Sequence, residues 1–538
     1  MKKRILIAVA SALPVIAGAQ TAVDAYQLSR YDLRGTARFM SMGGAFGALG
    51  GDLSTLNQNP GGIGVYRKSE IGFTLDINMQ SANTLSTIAN VKDNQTKAQV
   101  NNVGYVGTAY TGSDLMPYFN WGFSYGRTTS FNRRYKGTVD MNGSLSNYIA
   151  GYTSQDGWSS DYLINNDYNY WDRNHAPWMS ILAYNSYMIN PVAGTTQYNG
   201  LWGNGTYGVS DFDVEEKGFI DEYEINVGGN FANSVYWGIG VGINDIDYQR
   251  SVYYEEYLQN AKIPVIDESG QVVSGPPTQT PNDVGFGLDS YKHITGTGFN
   301  FKAGVIVKPI NELRLGLAVH TPTYYNLTES SDAIVDYGYG YTDRPLAPGY
   351  VQTPASVINW KLRTPWRLIA SAATVIGSKA IVSVDYEYRP YQNTTVKTEY
   401  GDNITDVNND VKDYYKAANI IRLGAEYRVS NNFSVRAGYA YESTPTGKEV
   451  MNQQTMVYTS NPDDFGTMPS YTLDNETQYI TCGVGYHYKS FYADAAYVHK
   501  SRKSEFNPYT SNNYTANPYT AEVKSTDNNI VLSIGFKF

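Results

Sequence analysis

The chain has 538 residues, 42% of them hydrophobic and 17% charged, with a formal net charge of −9 and a mean hydropathy of −0.40. Loss of Lys2, Lys3 and Arg4 with the leader described below takes the charge from −9 to −12, which argues against nucleic acid as a partner. Cys482 is the single cysteine and lies far from that leader, so neither a disulfide framework nor a lipoprotein anchor is available.

Met1-Lys2-Lys3-Arg4 is a basic start, Ile5 to Ile16 an apolar stretch and Ala17-Gly18-Ala19 a small-residue cleavage site, so residues 1–19 read as a secretory signal peptide. No later window approaches the roughly 20 apolar residues of a membrane helix, and any insertion must use strands. Residues 20–68 lack strand alternation. They carry the run Arg34 to Asp52, dense in glycine and alanine, and then Leu53-Ser54-Thr55-Leu56-Asn57-Gln58-Asn59-Pro60-Gly61-Gly62-Ile63-Gly64. Small residues at that density suit closely packed irregular backbone or short helices, and a segment of that kind before a barrel favours a plug (hatch) in its lumen.

From residue 69 to 538 the text changes to period two. The clearest unit is the hairpin Asn419 to Tyr441. Ile421, Leu423, Ala425, Tyr427 and Val429 share one face and Arg422, Gly424, Glu426 and Arg428 the other; after the turn, Phe433, Val435, Ala437, Tyr439 and Tyr441 oppose Ser434, Arg436, Gly438 and Ala440. Short turns near Thr111 to Pro117, Ala232 to Ser234, Pro309 to Glu312, Ile376 to Lys379, Val429 to Asn432 and Lys489 to Ser490 mark six such hairpins. With an opening strand at Glu70 to Met79 and a closing one at Asp527 to Phe538 they predict fourteen strands of about 9 to 11 residues. The expected fold is all-β: a 14-stranded antiparallel transmembrane β-barrel with an N-terminal plug and long extracellular loops, multi-pass in the bacterial outer membrane. Seven longer stretches read as outer loops, the largest from Thr128 to Asp221 and others near Gln249 to Gly296, Pro322 to Thr364, Pro390 to Ala417, Glu442 to Glu476 and Ser501 to Thr526. The terminal Phe538 resembles the signal by which barrel assembly machinery recognises its clients.

The run Gly35 to Gly51, the Asn59-Pro60-Gly61 element, the hairpins Ala303 to Ala318 and Ile421 to Pro445, and the order plug, fourteen strands, terminal Phe together resemble the FadL/TodX outer-membrane transporters of long-chain fatty acids and other hydrophobic compounds. The resemblance covers the plug and most hairpins but not the long loops. It implies passive, ligand-gated uptake of a hydrophobic molecule such as a fatty acid, with outer-membrane lipid around the wall and no cofactor. The family's Asn-Pro-Ala element maps onto Asn59-Pro60-Gly61, and the change from Ala to Gly puts the local geometry in question. Plug and gating candidates are Arg34, Arg38, Asn57, Asn59, Pro60 and Gly61, with Arg34 and Arg38 pinned to lumen acids such as Asp385 and Glu387. The plainer reading of Asn59-Pro60 is a turn entering the first strand.

A lipid acid needs a cation or donor for its carboxylate inside a partly desolvated lumen. Alternation turns Lys302, Arg314, Arg422, Arg428 and Arg436 inward as contact candidates; as plain structure they form a charge ladder, with pairs such as Arg422 and Glu426 bracing the wall. The loop aromatics Tyr168, Tyr170, Trp171, Trp178, Tyr184, Tyr187, Tyr198 and Trp202 read either as a capture surface or as girdle and loop packing. The five histidines, His175, His293, His320, His487 and His499, enter no catalytic or metal-ligand spacing, and no G-x-S-x-G elbow is present, so no enzyme and no metal site is expected. The competing reading is a surface binder, an adhesin-type or haem-binding barrel whose Tyr-rich loops recognise a host protein, glycan or haem.

Overall fold

The computed structural model describes residues 21–164, 176–262, 265–266, 272–273, 283–340, 346–377, 379–447, 467–509 and 518–538. The leader, Tyr168, Tyr170, Trp171 and His175 lie outside them. The barrel strands are β1 (Glu70–Leu85), β2 (Asn90–Tyr110), β3 (Tyr118–Ser130, continued by Arg133–Asp140), β4 (Tyr207–Phe231), β5 (Val235–Gln259), β6 (Asp283–Val307) and β7 (Leu313–His320, continued by Tyr324–Gly340). They are followed by β8 (Ser356–Arg363, continued by Arg367–Ile376), β9 (Ala380–Pro390), β10 (Ala417–Arg428), β11 (Phe433–Glu442), β12 (Tyr471–Tyr488), β13 (Phe491–Asn507) and β14 (Ala521–Lys537). Each pairs antiparallel with the next, and β14 returns to β1 from Glu70↔Lys537 to Leu85↔Glu522. Closure leaves no unpaired edge, the condition for carrying backbone polar groups through hydrocarbon.

Side chains follow the pleat in the inverted sense that a membrane barrel requires. On β1, Ile71 and Leu75 are 52% and 43% exposed outward, whereas Asp76, Asn78 and Gln80 are buried inward. The hairpin β10–β11 does the same in the register Leu423↔Tyr439 and Glu426↔Arg436. All six short turns fall where the sequence places them, Ala232 and Asn233 with positive φ in the tight β4–β5 turn.

Strand length departs from expectation. β4, β5 and β6 have 25 residues each, a reach of up to ~80 Å when extended, far beyond the ~30 Å of hydrocarbon. Much of the text read as outer loop, within 207–221, 249–259, 283–296 and 324–340, is therefore strand standing above the bilayer. Its outward positions carry Asp211, Asp213, Glu215, Asp247 and Gln249, so the period of two persists without the apolar face that marks it inside a membrane. The β1–β2 connection is a tight turn, with Ser86 N donating to Ala89 O at 3.0 Å. Pro322 and Pro365 interrupt β7 and β8 because proline offers no N–H to the ladder; Thr321 N donates to Phe301 O at 2.9 Å and Thr364 N to Thr323 O at 3.1 Å, which keeps the wall joined there.

The outer connections fold inward. Helices α4 (Leu145–Asp156), α5 (Ser160–Leu163) and α6 (Trp178–Asn185) follow three short helices of the N-terminal segment, and α7 (Thr405–Tyr414) lies between β9 and β10. With the raised strands, α4 to α6 build an apolar core that contains Trp178 and Tyr198, with Tyr184, Tyr187 and Trp202 packed against it. These aromatics are spent on the cap's own packing. Glu256 of β5 closes the start of α4, accepting from Ser144 Oγ at 2.5 Å, Leu145 N at 2.8 Å and Tyr254 Oη at 3.0 Å.

Leu423→Arg, on the lipid face of β10, should cost ~2–4 kcal/mol of folding stability in vesicles if it lies near the midplane, read by denaturant unfolding. Burial pushes the Glu256 carboxyl up to about 7, against the pull of its three donors. A carboxyl raised in the folded state stabilises the fold below its unfolded value and loses that contribution as pH rises towards 7. Amide protection of α4 in the wild type should therefore fall between pH 5 and pH 8 relative to Glu256→Gln, and parallel profiles for the two proteins would count against this.

Candidate functional site in the barrel lumen

The N-terminal segment bonds to inward side chains of several strands, among them Asp76 of β1, Asp385 of β9, Glu426 of β10 and Ser533 of β14. It runs through α1 (Ala22–Gln27), α2 (Ala37–Ser41), a glycine-rich turn, α3 (Thr55–Gln58) and a 3₁₀ turn, Pro60–Val65. Thr21 and Asp24 close α1 with a capping box; Thr36 Oγ1 accepts from Phe39 N at 3.2 Å to start α2 and donates to Asp52 Oδ1 at 2.8 Å. Glycine density is explained by close approach on both sides. The paired wall residues Gly424 and Gly438 face Met42 and Gly43 so tightly that a Cβ at either would collide with that backbone. Gly43 itself has φ +63° and sends its N–H to Thr481 Oγ1 at 3.1 Å.

The Asn59-Pro60-Gly61 element is a staple against the wall. Asn59 Nδ2 donates to Gly47 O at 2.6 Å, its Oδ1 accepts from Gly61 N at 3.0 Å, and Pro60 opens the 3₁₀ turn. A methyl at position 61 would meet the Val305 backbone at 2.9 Å, which explains glycine where the resembled family has alanine. Asn57 binds Glu222 Oε2 at 2.5 Å and accepts from Lys302 Nζ at 3.1 Å.

The segment's cations do meet wall acids, but not the two expected. Arg34 Nη1 lies 2.9 Å from Asp76, and Arg38 grips both oxygens of Glu426 at 2.9 and 3.2 Å. Asp385 instead accepts the N–H groups of Phe46 and Gly47 at 3.1 and 2.9 Å, because the glycine turn rather than an arginine passes in front of it. Glu387 holds Arg367, Arg389 and Arg422 at 2.8, 2.5 and 2.7 Å. Of the inward candidates, Lys302 Nζ lies between Glu222 at 2.7 Å and Glu224 at 3.3 Å, Arg314 donates to Leu49 O at 2.7 Å, and Arg436 bridges Glu426 and Asp494. Arg428 lies apart, exposed at the end of β10 on the rim of a cavity of about 420 Å³.

Residues that the sequence reading passed over complete the pattern. Glu222 and Glu224 stand at alternate positions of β4, Arg367 follows the break at Pro365, and Arg389 stands in step with Asp385 and Glu387 at the end of β9. Towards the outside, Asp474 takes Arg30, Arg133 and Arg502 at 3.5, 3.4 and 3.3 Å. Burial pushes its carboxyl up, but Arg502, Arg30 and Arg133 more than offset this and hold it well below the usual range. At both Glu387 and Asp474 three guanidiniums share one carboxylate. Arg34, Arg127, Arg367, Arg389 and Arg422 line a common cavity of about 50 Å³ beside Tyr31 and Gln58, and Arg422 Nη1 has no hydrogen-bond partner there. That space, several times what one water needs, suits a small anionic group. Two further cavities beside the segment are about 20 and 10 Å³, and the one of about 420 Å³ lies between its Arg38, Gly51 and Asp52 and the wall residues Glu426, Arg436 and Asp494, reaching the turn at Asn431 and Asn432. An apolar depression of about 450 Å³ lined by Ile225, Ile239, Val241, Phe301 and Val319 lies on the lipid side of the wall.

No family model and no curated protein matches the chain. Its structure is similar to that of a FadL homologue from Pseudomonas aeruginosa, at 12% identity and a TM-score of 0.52, over 94% of this chain and 99% of that one. The toluene transporters TodX of P. putida and TbuX of Ralstonia pickettii follow at 13% identity each, with TM-scores of 0.46 and 0.43, over 94% of this chain and 99% of theirs. The chain thus has the FadL fold, a multi-pass barrel of the bacterial outer membrane.

Glu387→Gln would leave three buried guanidiniums without their shared charge. Breaking a buried pair of this kind costs ~3–5 kcal/mol, and thermal loss of the heat-modifiable folded form should come at clearly lower temperature than in the wild type.

Proposed function

We propose that the protein is an outer-membrane channel for passive, ligand-gated uptake of hydrophobic molecules, fatty acids among them, closed at rest by residues 21–66. The observation that carries this is the nature of the seal. Residues 21–66 are joined to the wall by ion pairs and single hydrogen bonds from Arg34, Arg38, Asn57 and Asn59, and these contacts support a removable segment that blocks the lumen. The arginine-lined cavity at Arg367, Arg389 and Arg422 gives an amphipathic acid a place for its carboxylate, and the apolar surfaces around α1 and α2 give its tail a route. The FadL fold supports the reading. Packing of Trp178, Tyr184, Tyr187, Tyr198 and Trp202 in the cap's own core takes these aromatics from the surface on which an adhesin reading relies.

Radiolabelled oleate and toluene uptake in a transporter-deleted strain should rise when this chain is expressed, and unchanged uptake of both would refute the proposal. Deleting residues 20–57 should raise single-channel conductance in planar bilayers; a conductance equal to that of the full chain would mean that the segment does not close the pore.

A further inference from the structure

A buried guanidinium needs an acceptor for each of its N–H groups, and the arginines around Glu387 do not all find one. Glu387 has two oxygens for three of them: Oε1 takes Nε of Arg367 and of Arg389, and Oε2 takes Nη2 of Arg422. Nη1 of Arg422 is left without a hydrogen-bond partner, and so is Nε of Arg34, whose Nη1 goes to Asp76 and Asn101. These two side chains are only 8% and 6% exposed, and both line the cavity of about 50 Å³ together with Arg127, Arg367 and Arg389. The nearby acids are committed elsewhere. Asp76 holds Arg34 and Asp221 holds Arg127, Glu442 comes within 3.9 Å of Arg389, and Asp32 takes Lys500 and Arg30. Asp385, opposite Arg422 in the sheet, spends Oδ2 on the N–H groups of Phe46 and Gly47 and on Gln58, while its Oδ1 reaches no donor. The lining also carries Asn102 Oδ1, an acceptor without a donor.

We propose that this cavity binds a chloride ion, received by Arg422 Nη1 and Arg34 Nε, with a water beside it that donates to Asn102 Oδ1. A spherical anion accepts from N–H groups that converge at any angle, and each such bond is strengthened by the charge on both partners. Water alone would meet the same donors, but it brings no charge to a dry place where three guanidiniums share one carboxylate. The space is several times what one water needs, and chloride is little larger than a water, so the ion and its companion fit together. Chloride binding stands apart from the channel reading, and one consequence rests on that reading. There the carboxylate of a transported acid takes the same place, so acid and chloride exclude each other, and chloride in the medium lowers the apparent affinity for the acid.

Thermal loss of the heat-modifiable folded form, followed for the full chain in a non-ionic detergent, tests this in sodium chloride against sodium gluconate at equal ionic strength. The midpoint should be higher in chloride, and in the saturating range each ~10-fold rise in chloride should add the same increment. Arg422→Gln and Asn102→Asp should each remove the difference between the two salts, the first by taking away a receiving N–H, the second by placing a fixed carboxylate on the lining. Should Arg422→Gln fail to fold, Asn102→Asp carries the test, since it gives the arginines a partner rather than removing one. Crystals grown in sodium bromide should show an anomalous peak beside Arg422 Nη1. Equal midpoints in the two salts, a chloride increment that persists in Asn102→Asp, or ordered water only in the bromide crystals would overturn the site. Octanoate should shrink the chloride increment of the wild type, and an increment that octanoate leaves unchanged would overturn the competition. Uptake of oleate or toluene without any chloride effect would overturn this inference alone, whereas a chloride effect in a chain that carries neither would count against the channel reading alone.

Discussion

Asp76, Asp385 and Glu387 are fully buried in this lumen and have no bulk water to fall back on, and the arrangement around them follows from meeting that need from one side or the other. The wall supplies Asp76, Asp385, Glu426 and Thr481; the segment answers with Arg34, the N–H groups of Phe46 and Gly47, Arg38 and the N–H of Gly43. Where the wall brings more cations than acids, as around Glu387 and Asp474, the segment still contributes backbone and side chains to the same cluster: Tyr31 O accepts from Arg389, and Arg30 reaches Asp474. Seal and wall are thus complementary in charge, hydrogen bonding and shape.

The same complementarity gives the lumen layers. An apolar cap and the apolar cluster around α1 lie outermost, a belt of arginines and carboxylates crosses the middle, and a second apolar cluster around Phe39, Met40, Phe46 and Leu49 lies deeper. On the proposed uptake reading an amphipathic molecule moving inward meets surfaces of alternating kind, and below the cap each of them holds a part of the segment. The bonds between segment and wall are several and individually modest, a few kcal/mol each at most, and on the proposed reading a ligand that replaces them group by group would open the way without one large barrier. The staple at Asn59 ties the far end of the segment to its own glycine turn at Gly47 and to the wall at Val305.

How much of this the chain announces depends on whether a physical rule acts locally. Alternation with apolar residues outward is a local rule, and it placed all six short turns and the closure of Asp527–Phe538 on Glu70. It failed above the bilayer, where β4 to β6 continue with polar residues on their outward faces. Inward direction followed from the same rule for Lys302, Arg314, Arg422 and Arg436, but Arg428, one more step of two along β10, emerges at an exposed rim because the strand ends there. Partners are set by register between distant strands and by the path of an irregular segment, which is why Arg34 and Arg38 lie on Asp76 and Glu426 instead of Asp385 and Glu387. The inward glycines Gly424 and Gly438 were visible as a pair with no evident use. Their use is the space they leave for Met42 and Gly43.

The central claim is that the segment must leave its place for the channel to conduct. Ala37 N donates to Ser533 Oγ at 2.7 Å, an approach between segment and β14 that a disulfide can bridge. In an Ala37→Cys, Ser533→Cys protein with Cys482 changed to Ser, oxidation should abolish uptake of the transported hydrophobic molecule and reduction should restore it. Equal uptake by the oxidised and reduced forms would show that transport does not require this segment to move.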